Sequence, residues 1–165
     1  MFTFKILCFG KLKTPGTEAL TFHYTKLLKR YANLEVIELK PYSGKSQNLS
    51  EILTHEKLKL GPHLDSSLPT IVLDDAAKSK STHLWSEFWK DQRQLGHQTF
   101  IFILGSSFGL HPEIIKKARL CISFGPQTLP HELARIVLIE QLFRSLSYLH
   151  QHPYHHASRL DERLT

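Results

Sequence analysis

Phe100-Ile-Phe-Ile-Leu-Gly-Ser-Ser-Phe-Gly109 decides the architecture of this chain. The unbroken apolar run from Phe100 to Leu104 has no polar face, so a strand built from it must be covered on both sides, as strands are inside a parallel sheet. Gly105 ends the run, and Pro112 opens a helix predicted over 112–118. Leu120-Cys-Ile-Ser-Phe124 reads as the next strand and Pro69-Thr-Ile-Val-Leu-Asp74 as the preceding one, with an amphipathic helix over 83–95 between them. Nearer the N-terminus, Phe2–Phe9 is rich in strand formers and stops at Gly10. A helix is predicted over 17–32, where Leu20, Tyr24, Leu27, Leu28 and Tyr31 recur at helical spacing and Lys26, Lys29 and Arg30 take the other side. A strand over 34–39, a loop over 41–48 and a helix over Leu49–Leu60 with Ser50 as its cap follow. The chain then closes with a long helix, His131–Leu149. Alternating strands and helices of this kind predict an α/β fold, a mostly parallel sheet with helices on both faces, in a single domain spanning 1–165.

Charge adds a first functional indication. Lys and Arg total 21 against 15 Asp and Glu, a net charge of +6. Residues 1–45 hold eight of the bases (Lys5, Lys11, Lys13, Lys26, Lys29, Arg30, Lys40 and Lys45) and only three acids, whereas the other 120 residues balance at 13 and 12. A basic third on a neutral body predicts a polyanionic partner, most simply a nucleic acid. At 41% hydrophobic and 22% charged, the composition excludes a disordered chain and a membrane protein. No apolar run approaches the roughly 18 residues of a membrane span. The apolar start is followed at once by Lys11-Leu-Lys-Thr14, unlike a secretory signal. Cys8 and Cys121 sit in strand-like runs and read as small buried side chains of a reducing compartment, so the protein is expected in the cytoplasm, with no metal site.

Ligands of open α/β sheets bind beyond the carboxyl ends of the strands. Three strand ends stand out: Leu73-Asp-Asp75, Gly105-Ser-Ser-Phe-Gly109 and Phe124-Gly-Pro-Gln-Thr-Leu-Pro130. The glycines of the second allow close backbone approach to a ligand or merely make a turn; the prolines of the third make a rigid loop or a bland connection. The last helix is apolar in nearly every direction, which predicts burial and, in so small a domain, a subunit interface. Glu140 and Arg144 on it form either a common i,i+4 ion pair or a pair that holds a charge toward a site. His150-Gln-His-Pro-Tyr-His-His156 is a tail that reaches an active site or simply ends the chain; a His-rich metal site is the third reading.

The run Gln127-Thr-Leu-Pro-His-Glu-Leu-Ala-Arg-Ile-Val-Leu-Ile-Glu-Gln-Leu-Phe-Arg144, followed by His152-Pro-Tyr-His155, closely resembles the bacterial ribosomal RNA large-subunit methyltransferase H family. Cys8-Phe-Gly-Lys-Leu-Lys13, Ile71-Val-Leu-Asp74 and Phe102-Ile-Leu-Gly105 fit it in order, so the resemblance spans residues 2–156. It implies a SPOUT-type fold with a C-terminal trefoil knot within about 70–156, and 157–165 as an extension past the usual end. It implies a homodimer that uses S-adenosyl-L-methionine to methylate N3 of a pseudouridine in 23S ribosomal RNA, on the large subunit or the assembled ribosome. The cofactor would contact Leu73, Gly105 and the loop Phe124, Gly125, Pro126, Gln127, Thr128, Leu129 and Pro130. Arg144, His131, Tyr154 and His155 match positions near the target base, with His155 or His131 as the proton acceptor. Lys5, Lys11, Lys13, Lys26, Lys29 and Arg30 would grip RNA phosphates.

Two turns depart from the family pattern. Gly105-Ser106-Ser107 stands where Gly-Gly-Pro is usual, and the Cβ of Ser106 predicts a tilted loop or a crowded cofactor. Asp75-Ala-Ala-Lys78 replaces a Gly-Lys-type turn. A non-catalytic RNA- or ribosome-binding protein of the same fold is the competing reading.

Overall fold

The computed structural model describes residues 1–150, so Tyr154, His155 and the 157–165 extension lie outside the described residues. Its elements alternate as expected: β1 (Phe2–Phe9), α1 (Thr17–Leu28), β2 (Ala32–Leu39), α2 (Leu49–Leu60), β3 (Thr70–Leu73), α3 (Thr82–Gln94), β4 (Thr99–Leu104), α4 (Pro112–Lys117), β5 (Leu120–Ile122) and α5 (His131–Leu149), with a 3₁₀ turn at Gly61–His63. The five strands lie in the order β2-β1-β4-β3-β5 and every pairing is parallel.

Strand β4 is apolar throughout because it serves two cores. Phe100, Phe102 and Leu104 face one side with Phe4, Ile6, Cys8 and Ile71, and pack under Trp85 and Trp89 of α3 and Leu138, Ile139, Leu142 and Leu146 of α5. Ile101 and Ile103 face the other side with Leu7, Phe9 and Val72, under Leu60 of α2 and Ile114 of α4. Two-residue alternation thus sends successive side chains of one strand into separate layers. Burial pushes the Cys8 thiol up to about 11, against the pull of the neighbouring Arg135, so it stays protonated at neutral pH.

The structure corrects several boundaries. Helix α1 stops at Leu28, not at residue 32, because Ala32 is fully buried in β2, in register with Phe2; sheet pairing overrides the helical spacing that Tyr31 continues. Asn48, not Ser50, caps α2: its side chain accepts a hydrogen bond from the Ser50 amide at 2.9 Å. Strand β5 ends at Ile122, and Ser123 continues only as an isolated bridge to Ser79.

The all-round apolarity of α5 has an explanation inside the chain. The helix packs on α1, α3 and the sheet, which covers Ile136, Leu138, Ile139, Leu142, Phe143 and Leu146. Leu133, also on α5, stays exposed. Among the described residues no helix is long and apolar enough to cross a membrane.

Trp89 sits fully buried where α3, α5 and the sheet meet, and its indole N–H donates to Ser145 Oγ at 3.0 Å. Trp89→Ala removes both the aromatic volume and this bond. It is expected to cost about 3–5 kcal/mol in urea denaturation, against about 0.5 kcal/mol or less for an exposed substitution such as Leu58→Ala.

Candidate cofactor cleft

Strands β3, β4 and β5 end side by side, and the segments leaving them enclose a cleft of about 760 Å³. Leu73, Leu104 and Ile122, the last residues of the three strands, form its floor; 105–110, 123–125 and 127–130 form its walls, and His131 and Ala134 of α5 close one side. That volume lies within the range of small-molecule and cofactor sites, about 300–1,000 Å³.

The turn after β4 is tight. A Cβ on Gly105 would lie 2.6 Å from the carbonyl oxygen of Gly109, so only glycine fits there. Gly109 closes the turn with φ 85° and donates its N–H to the Ser106 carbonyl at 3.0 Å. The Ser106 hydroxyl donates to the buried Glu56 carboxylate at 2.8 Å, and accepts from the Phe108 amide at 3.2 Å. The residue expected to crowd the loop therefore ties it to α2. Gly125, at φ 127°, gives the other wall a conformation that side chains rarely adopt.

Charge in the cleft has one sign. Asp74 and Asp75 line it, and no Lys or Arg among the described residues does. Asp74 accepts the Ala76 amide at 3.0 Å, and Asp75 accepts the Thr128 hydroxyl at 2.9 Å across the mouth. Among the described residues the cleft thus has carboxylates and no Lys or Arg, an arrangement that favours a neutral or cationic small molecule over a phosphate.

The first turn of α5 clasps the segment after β1. Glu132 accepts the amides of Lys13 and Thr14 at 2.9 and 3.0 Å and the hydroxyls of Thr17 and Thr14 at 3.0 and 3.3 Å. The backbone amides, aided by the hydroxyls, hold its carboxyl down to about 2. One turn on, the fully buried Arg135 reaches the Gly10 carbonyl at 2.8 Å and Glu38 at 2.6 Å. The His131 ring lies against Gly10, with Nε2 3.2 Å from where a Cβ would stand. These contacts hold the segment that carries exposed Lys11 and Lys13 beside the first turn of α5, whose His131 lines the cleft.

A family model described as Predicted SPOUT methyltransferase matches residues 2–155. The chain belongs to this SPOUT family. A relative from Koribacter versatilis, named Ribosomal RNA large subunit methyltransferase H, is 36% identical over 152 residues, which cover 92% of this chain and 96% of the relative. Proteins of the same name from Maridesulfovibrio salexigens and Streptococcus uberis are 36% and 34% identical, over 89% and 92% of this chain and 94% and 98% of their own lengths.

Of the positions carried over from the SPOUT resemblance, Leu73, Gly105, Phe124, Gly125, Gln127, Thr128, Leu129, Pro130 and His131 line the cleft, whereas Pro126 does not. Arg144 is not in the cleft: it lies 13 residues beyond His131 on α5, about 20 Å along the helix, half-exposed and bonded to Glu140 through Nε at 2.7 Å and through Nη2. The basic residues divide. Lys11 and Lys13 stand at the cleft edge, whereas α1 carries Lys26 to the opposite edge of the sheet, where Lys29 and Arg30 follow its end. Lys5 lies mid-strand and pairs with Glu35 at 3.9 Å. Sequence patterns alone do not single out Glu132, Arg135 or Glu56 as site residues. Arg135 has a legible signal, a charge inside the apolar run Leu133-Ala-Arg-Ile-Val137; Glu56 has none.

Because folding lowers the Glu132 pKa from 4.5 to about 2, its contribution to stability is complete above pH 4.5 and fades as pH falls toward 2. Glu132→Gln should therefore lower the urea midpoint at neutral pH, with the gap to the unmodified protein narrowing between pH 4.5 and 2.

Proposed function

We propose that this protein is an S-adenosyl-L-methionine-dependent methyltransferase acting on N3 of a pseudouridine in 23S ribosomal RNA, on the large subunit or the assembled ribosome, in the cytoplasm. One observation carries the cofactor assignment: a glycine-walled cleft at the strand ends of a SPOUT-family chain, lined by Asp74 and Asp75 and, among the described residues, by no Lys or Arg. The donor set fits the group. Apolar Leu73, Leu104, Ile122 and Leu129 suit the adenine and the methylene chain, backbone amides beside Gly105 and Gly125 suit its polar edges, and the two carboxylates suit its cationic centres. The same reading treats residues 1–165 as one domain with a trefoil knot in about 70–156.

Bound there, held by Leu73, Gly105 and the wall that carries Gly125, S-adenosylmethionine would supply an electrophilic methyl group and a neutral thioether as leaving group. The chain has to orient the base and remove one imide proton. His131, at the cleft wall, or His155, in the tail, accepts that proton. Arg144, steadied by Glu140, stabilises negative charge on the flanking carbonyl oxygen, and Tyr154 holds the base by stacking or a hydrogen bond. The separation of about 20 Å between His131 and Arg144 along one helix supports a homodimer in which one protomer's cleft is completed by residues of the second. Lys11 and Lys13, at the cleft edge, grip RNA phosphates nearest the reacting base, while Lys5, Lys26, Lys29 and Arg30 serve more distant phosphates.

Calorimetric titration with S-adenosylmethionine is expected to show binding to the purified protein; no binding would favour a non-catalytic RNA- or ribosome-binding protein of the same fold. On purified ribosomes, Arg144→Ala is expected to lower the methylation rate about a hundredfold. Full activity in both Arg144→Ala and a chain ending before Tyr154 would overturn the residue assignments.

A further inference from the structure

Glu56 is a buried carboxylate far from the cleft in sequence, and the proposed methyl transfer makes no use of it. It is 2% exposed, on the inner face of α2, and no salt bridge reaches it among the described residues. A buried carboxyl group without a counter-ion is tolerated only where hydrogen bonds satisfy its oxygens. Glu56 has one donor for each oxygen: the Tyr42 amide on Oε1 at 2.9 Å and the Ser106 hydroxyl on Oε2 at 2.8 Å. The Ser106 hydroxyl in turn accepts the Phe108 amide at 3.2 Å. A chain of hydrogen bonds therefore runs from the carboxylate through a hydroxyl into the backbone of the turn that forms one wall of the cleft.

We propose that Glu56 and Ser106 act together as positioning residues for the cofactor, with Glu56 fixing, through the Ser106 hydroxyl, the backbone of the 105–109 wall against which the cofactor packs. The inference rests on the S-adenosylmethionine reading of the cleft and adds two residues to it. The bond from the Ser106 hydroxyl to Glu56 spans two elements, so it ties the turn to α2 beyond what the turn's own Gly109–Ser106 bond supplies. A glycine at position 106 has no hydroxyl and would leave Glu56 Oε2 without this donor. This chain therefore sets the wall with a side chain, and its Ser106 and Glu56 are expected to be energetically coupled.

Two measurements on the full-length protein test this. Without any cofactor, Ser106→Ala should speed hydrogen exchange at the Phe108 and Gly109 amides about tenfold, while amides of β4 and the thermal midpoint change little. In calorimetric titration, Ser106→Ala should bind S-adenosylmethionine about tenfold more weakly. Glu56→Gln should weaken binding in the same direction, and the double variant should lose no more than the larger single loss. Unchanged exchange at both amides overturns the proposal, as does faster exchange with unaltered affinity, or strictly additive losses in the double variant. If the unmodified protein binds no S-adenosylmethionine, the cofactor reading fails and the positioning role toward that cofactor fails with it. Faster exchange in Ser106→Ala would then still uphold the Glu56–Ser106 restraint on the wall.

Discussion

A strand with no polar face dictates the rest of this molecule. Phe100 to Leu104 sends three side chains into one core and two into the other, so helices must cover both sides of the sheet at this strand, and it presents no polar side chain from either face. Around β4, polar chemistry is thereby confined to the ends of the strands, where backbone amides and carbonyls emerge without partners from the ladder. The cleft lies at those ends, between the two covered faces. Its apolar floor is the last layer of the sheet itself, Leu73, Leu104 and Ile122.

Helix α5 links the two halves of the chain at that place. It leaves the wall made by 124–130, and its first turn holds the segment following β1 through Glu132 and Arg135. The acidic cleft and the basic segment carrying Lys11 and Lys13 are thus neighbours on one rigid support. This resolves an apparent conflict between a net charge of +6 and a cleft lined by two aspartates. Opposite charges occupy adjacent surfaces, one suited to a polyanion and the other to a small cationic ligand.

Much of this is legible in the order of the residues. Glycines and prolines mark two of the three strand ends and the Asp74-Asp75 pair the third, and each of them borders the cleft. The apolar run at Phe100 and the alternation around it imply parallel strands and covered faces. Boundaries are less legible where two local rules compete. Tyr31 continues the helical spacing of α1, but Ala32 is needed opposite Phe2 in the sheet. The apolar perimeter of α5 also serves the fold within one chain, since α1, α3 and the sheet all converge on this helix, which a sequence does not disclose.

By itself, the sequence determined the order and kind of the elements, the two-faced burial of the sheet, the glycine turns and the family, since these depend on periodicity and on residues adjacent in the chain. Only the tertiary structure decided which polar groups meet. Ser106 and Glu56 are 50 residues apart, Lys13 and Glu132 are 119 apart, and Arg135 and Gly10 are 125 apart. No local pattern encodes such pairs, because their geometry follows from how the strands are ordered in the sheet and which helix lies across their ends. The same ordering separated Lys11 and Lys13 from Lys26, Lys29 and Arg30, which are near in sequence but are carried to opposite edges by the length of one helix.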